Sequence, residues 1–125
     1  MLRVASVGSG SKGNATLVAS EETTLLIDCG FPAREMLSRL DQINADIADI
    51  DAILVTHEHS DHVGGVAAVS RAAGAPIYAT HGTLTSGKLE VARTIVEIES
   101  DSEFAIGDIE AVSYTHLRAH ETGND

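Results

Sequence analysis

Short apolar strands that first follow one another and then alternate with helical stretches predict an α/β protein built on a layered sheet. Three observations carry this expectation. Brief apolar segments separated by turn residues fill the chain up to Asp28, a helical apolar period follows Pro32, and from Ala52 onward short apolar runs alternate with a second helical pattern. With 43% hydrophobic residues, 3% aromatics and no Trp, the core has to come from Val, Ile, Leu and Ala. That composition suits buried strands covered by helices. At 125 residues the chain holds one domain at most, since single cores usually need roughly 100–200 residues.

Taken in order, Leu2 to Val7 alternates apolar and small residues and reads as a first strand. Gly8-Ser9-Gly10-Ser11-Lys12-Gly13-Asn14 reads as a turn, because glycine supplies positive φ and Ser and Asn bond locally. Ala15–Ala19 and Thr24–Asp28 follow as two more strands joined by Glu21-Glu22, so the chain opens with a β-meander. Pro32 fits the first turn of a helix, where its missing N–H costs nothing. Met36, Leu37, Leu40 and Ile43 then recur at helical spacing, with Arg34, Glu35, Arg39 and Asp41 outside. Ala52–Val55 suits a buried strand. A second helix is expected to begin near His62 and run through Val66, Val69 and Ala73 to Gly74, a natural stop. Pro76–Ala79 and Thr94–Ile98 read as further strands, and Gly107-Asp108 as a hairpin turn before Ile109.

Eight Lys and Arg against 19 Asp and Glu give a net charge of −11. This excludes a protein that grips nucleic acid by broad electrostatics, which needs clustered basic residues. A nuclease is still allowed, because bound cations can supply local positive charge. The single cysteine, Cys29, rules out an internal disulfide and makes a reduced, cytoplasmic setting the expectation. Neither a signal peptide nor a run of ~18 apolar residues suited to a membrane is visible.

Thr56-His57-Glu58-His59-Ser60-Asp61-His62 is the informative stretch. It packs three imidazoles and one or two usable carboxylates into six positions at the end of an expected strand. Borderline cations such as zinc prefer these donors. Residues two apart in extended chain point the same way, so His57 and His59 can approach one ion together. Asp61 and His62 follow once the chain turns and can serve a second ion. The alternative is a surface loop that happens to be rich in His and acids, and the density of imidazoles argues against it.

This stretch, continued by Val63-Gly64-Gly65, resembles the HxHxDH signature of the metallo-β-lactamase superfamily. With the Gly8–Asn14 segment and Leu26-Ile27-Asp28-Cys29-Gly30-Phe31, it is similar to the YycJ (VicX/WalJ) type of hydrolase within that superfamily, over residues 1 to about 111. The resemblance implies an αββα sandwich, represented here by its N-terminal portion. It implies two divalent metal ions, with zinc expected and manganese the alternative. His57 and His59 then correspond to ligands of the first metal, and Asp61 and His62 to ligands of the second. Asp61 would also orient a metal-activated hydroxide as nucleophile. Nucleic acid is the implied substrate, cleaved at phosphodiester bonds in the manner of a DNA exonuclease. A thioester hydrolase and a di-iron redox protein of the same fold are the alternatives, although the latter's relatives place Glu where His59 stands.

Several residues have both a structural and a functional reading. Asp28 can hold a metal-bound His by a hydrogen bond or cap a strand end. Ser9, Ser11 and Asn14 can line the cleft or form a plain turn. His81 can face substrate or cap a helix. Cys29 reads as a small buried apolar group, and Gly64 and Gly65 as residues that let the second helix start close to the metal loop.

Beyond Ala111 the chain departs from the family's pattern. Val112-Ser113-Tyr114-Thr115-His116-Leu117-Arg118-Ala119-His120-Glu121-Thr122 resembles the translation of a transposon-end adapter used in sequencing libraries. The expectation is therefore an incomplete domain over residues 1–111 and a non-native tail over 112–125. His116 and His120 are four apart and would mimic a zinc pair on a helix, and are left out of the site. The family's later His, bridging Asp and final His have no counterpart here, so this chain alone is expected to be inactive.

Overall fold

The opening strands form an antiparallel ladder, and the turn between the second and the third is self-bonded. β1 (Arg3–Gly8) pairs with β2 (Ala15–Ala19), and β2 with β3 (Thr24–Ile27). Between β2 and β3 the Ser20 hydroxyl accepts the N–H groups of Glu22 and Thr23 at 3.2 and 2.9 Å, closing the turn. This is a computed structural model, and it describes residues 2–8, 14–56, 65–80, 95–98, 103–112 and 117–119.

After β3 the sheet turns parallel. β4 (Ala52–Leu54) lies beside β3, β5 (Ile77–Thr80) beside β4, and β6 (Ile95–Ile98) beside β5, giving the order β1-β2-β3-β4-β5-β6. Helix α1 (Ala33–Gln42) and a 3₁₀ turn at Ile47–Asp49 connect β3 to β4, and helix α2 (Val66–Ala73) precedes β5. Asp51 sets the start of β4: its carboxylate accepts the Thr24 N–H and its own N–H donates to the Thr24 carbonyl, both at 2.8 Å. A second antiparallel sheet, β7 (Glu103–Ile106), β8 (Ile109–Val112) and β9 (Leu117–Ala119), completes the described elements. β9 falls in the adapter-like segment, and its pairing occupies an edge of β8 that would otherwise leave backbone groups open.

Strand alternation sorts the core into two layers. On one face of the large sheet Leu26, Ile53, Val55, Ile77 and Ala79 pack with Met36 and Leu40 of α1 and Val66 and Val69 of α2. On the other face Val18, Leu25, Ala52 and Leu54 meet Ile106 and Ile109 of the second sheet. The order of layers is thus helices, sheet, sheet, as expected for an α/β sandwich. Gly107 lets the β7–β8 hairpin close on the β2–β3 turn. Its φ is +59°, and a Cβ there would stand 2.0 Å from Thr23 Oγ1.

Some local expectations need correcting. Pro32 is the N-cap of α1 rather than part of its first turn, and its carbonyl accepts the Met36 N–H at 3.0 Å. Leu37 and Ile43 are 50% and 39% exposed. Only Met36 and Leu40, one turn apart, are buried on this ten-residue helix, and Ile43 has already left it at the C-cap. The strand β3 stops at Ile27, because Asp28 adopts a φ of 62° and turns the chain. Helix α2 is described from its N-cap Gly65 to the left-handed Gly74 (φ 69°); the start expected near His62 lies outside the described residues. Among the described residues no helix is long and apolar enough to cross a membrane.

Candidate metal centre

The carboxyl ends of the parallel strands β3 and β4 lie side by side, Ile27 in register with Leu54. In open α/β sheets this is where ligands bind. The left-handed turn at Asp28 begins here, with the Asp28 N–H donating to the Leu54 carbonyl at 2.8 Å. Asn, Asp and Gly tolerate this conformation best.

From that position the Asp28 carboxylate reaches across to the end of β4. One oxygen accepts the Thr56 N–H at 2.8 Å and the other accepts the Thr56 hydroxyl at 2.5 Å. Asp28 is 6% exposed and Thr56 is exposed, so the bonds are shielded on the carboxylate's side alone. Charge-assisted bonds of this kind are roughly twice as strong as neutral ones. The next residue performs the matching task at the other end of the motif: the Cys29 carbonyl accepts the Gly65 N–H at 2.8 Å. Gly65 sits so close to the chain beneath it that a Cβ would fall 1.7 Å from the Phe31 carbonyl oxygen. Residues 57–64 are therefore bracketed by two positions, Thr56 and Gly65, which consecutive residues of one turn hold.

The same turn roots the glycine- and serine-rich segment. Gly30 donates to the Asn14 carbonyl at 3.0 Å. At the segment's other end, the Arg39 guanidinium donates to the Val7 carbonyl at 3.0 Å and lies 4.0 Å from the centre of the Phe31 ring. The Cys29 thiol is wholly buried and donates to the Phe31 carbonyl at 3.3 Å. Burial pushes it up to about 12, the Phe31 backbone drawing it down and the neighbouring Asp28 adding to the rise. At neutral pH it is an uncharged packing group, as its sequence position suggests.

Asp28 thus stands at the base of the bracketed segment, and Asn14 at the end of the glycine- and serine-rich one. His57, His59, Asp61, His62, Gly64, Ser9, Ser11 and His81 lie outside the described residues. Three residues that hold this turn and the ends of the two segments carry little sequence signal. Thr56 is a hydroxyl residue directly before the motif, which hints at an anchor. Phe31 and Arg39 act through contacts that no local pattern encodes.

The family model described as the metallo-beta-lactamase superfamily matches residues 8–117. Exodeoxyribonuclease WalJ of Streptococcus pneumoniae (strain D39 / NCTC 7466) is 35% identical over 118 residues, covering 88% of this chain and 44% of the relative. Exodeoxyribonuclease YycJ of Bacillus anthracis is 31% identical over 121 residues, covering 95% and 44%. The chain thus spans about half the length of the curated relatives it matches. Among solved structures, Rm3 metallo-beta-lactamase superimposes with a TM-score of 0.73 at 24% identity, covering 86% of this chain and 46% of that one.

Proposed function

This chain belongs to the metallo-beta-lactamase superfamily, and on that premise we propose that the natural protein is a metal-dependent hydrolase of nucleic-acid phosphodiester bonds, acting on DNA as an exonuclease. The observation that carries the reading is the bracketing of residues 57–64 at the carboxyl ends of β3 and β4, by Asp28 on Thr56 and by Cys29 on Gly65. A segment holding three imidazoles and a carboxylate is thereby rooted at the ligand-binding edge of the sheet.

The donor set suits zinc or manganese. His57 and His59 would hold one ion, Asp61 and His62 a second, and Asp61 would orient the attacking water. Two such cations acidify bound water and offset the charge that develops on a phosphate. This chain's own residues provide the scaffold: Asp28 fixes where the segment enters, and the Cys29–Phe31 turn fixes where it leaves. With a net charge of −11 the protein brings no broad basic surface to a phosphate backbone, so the cations are the source of local positive charge. Both curated relatives reported above are exodeoxyribonucleases by name. The family's further His, bridging Asp and last His are expected in the part of the relatives' length that this chain does not span. Residues 1–125 alone are therefore expected to be inactive.

The test is degradation of single-stranded DNA by the natural protein, with metal content measured alongside. Zinc or manganese, and nuclease activity abolished by His59→Ala, are the expected results. Robust thioester turnover without nuclease activity would overturn the nucleic-acid reading, and iron in place of zinc or manganese would overturn hydrolysis.

A further inference from the structure

We propose that Arg39 is a positioning residue for the metal-binding segment, acting through Phe31 on Gly65. Arg39 lies on α1, far in sequence from residues 57–62, yet its guanidinium makes three contacts at once. It stacks on the Phe31 ring at 4.0 Å, donates through Nη1 to the Val7 carbonyl at 3.0 Å, and pairs with Glu35 at 2.7 Å. Only a planar fork of donors can stack and bond in-plane in this way, and a lysine ammonium cannot.

The Phe31 ring has little freedom to begin with. At its edge, beside the guanidinium, stands Gly8, where a Cβ would lie 2.5 Å from Phe31 Cζ and 2.9 Å from Arg39 Nη1. Phe31 is thus covered by the guanidinium on one face and closely abutted by the end of β1 at its edge, and it is 4% exposed. Its carbonyl accepts the Cys29 thiol and presses on Gly65, whose N–H is held by the Cys29 carbonyl. Ring and carbonyl belong to one residue, so clamping the ring fixes the carbonyl against which Gly65 rests. The Val7 bond ties in the start of the glycine- and serine-rich segment, and the Gly30–Asn14 bond ties in its end. Arg39 therefore braces one short turn from which two segments of the candidate site emerge. The effect on metal binding rests on the reading that residues 57–62 carry the metal ligands; the bracing itself does not.

The experiment is amide hydrogen exchange on the metal-free natural protein, wild type against Arg39→Lys and Arg39→Ala, with zinc affinity measured by chelator competition. Arg39→Lys keeps the charge and the pairing with Glu35 but loses the stack. The expected result is exchange at Gly65 and Gly30 faster by about tenfold, with Ile53 in the central strand unchanged. Zinc affinity should fall by about tenfold, the lower end of what groups supporting metal ligands show. Unchanged exchange at Gly65 in both variants would overturn the proposal, as would equal acceleration at Gly65 and Ile53, which marks general destabilisation. If exchange at Gly65 rises but wild type binds no zinc, the bracing stands and the metal reading falls.

Discussion

Asp28 and Thr56 are joined by two hydrogen bonds across the ends of neighbouring parallel strands, one to the backbone N–H at 2.8 Å and one to the hydroxyl at 2.5 Å. The first residue of the turn after β3 thereby sets the last residue before the histidine-rich segment. Cys29, next in sequence, sets the first residue after it through the Gly65 N–H. Entry and exit of the candidate metal segment are governed by adjacent residues, so a disturbance at this turn is felt at both.

Asp28 variants should separate the bonds from the backbone geometry. Asparagine tolerates the left-handed conformation but replaces one acceptor oxygen with a donor. Asp28→Asn is expected to cost about 1.5–3 kcal/mol in urea unfolding, the range for losing a hydrogen bond to a charged group. Asp28→Ala should cost more, because it adds left-handed strain of roughly 1–2 kcal/mol at the φ of 62°. A Asp28→Ala variant as stable as wild type would show that the clamp contributes nothing.

Two glycines with different constraints give a paired prediction. At Gly65 an added Cβ meets the Phe31 backbone oxygen at 1.7 Å, and at Gly74 it meets nothing within 4 Å. Gly74→Ala should lose about 1 kcal/mol, through its left-handed φ alone. Gly65→Ala forces the turn and helix apart and should lose about 3 kcal/mol or more. Thermal melts of the two variants, side by side, check the order; the reverse order would mean that the Phe31 carbonyl yields easily.

The Cys29 thiol should be unreactive in the native state. With burial raising it from 9.0 to about 12, almost no thiolate exists at pH 8, and the thiolate is the reactive form. A disulfide reagent should label it quickly in urea and very slowly in buffer. The folded value lies above the unfolded one, so stability from the neutral thiol is fully present below pH 9 and declines as pH rises from 9 towards 12. Cys29→Ala should remove that part of the alkaline loss. Rapid native labelling at pH 8 would refute the burial argument.

Much of the element order was legible in the sequence because it is local. The apolar runs at Leu25-Leu26 and Ala52-Ile53-Leu54 read as strands, and the two buried residues of α1 fall at helical spacing. Leu37 and Ile43 match the same period yet lie at the surface, because periodicity marks a face and does not say how wide a face the sheet will cover. Asp28 was legible as a residue of interest beside the site, but not its partner. Thr56 lies 28 positions away, and no spacing rule connects them.

By itself the sequence determined the fold class, the short apolar strands that alternate with helices and a segment whose donors suit divalent cations, since each rests on residues within one element or one loop. Tertiary structure alone decided that the Asp28–Phe31 turn holds both ends of that segment, and that Arg39 reaches Val7 from 32 residues away to clamp Phe31. The physical reason is that hydrogen bonds and stacking act over a few ångströms, whereas the chain distances they bridge are set only when β3, β4 and α1 pack together.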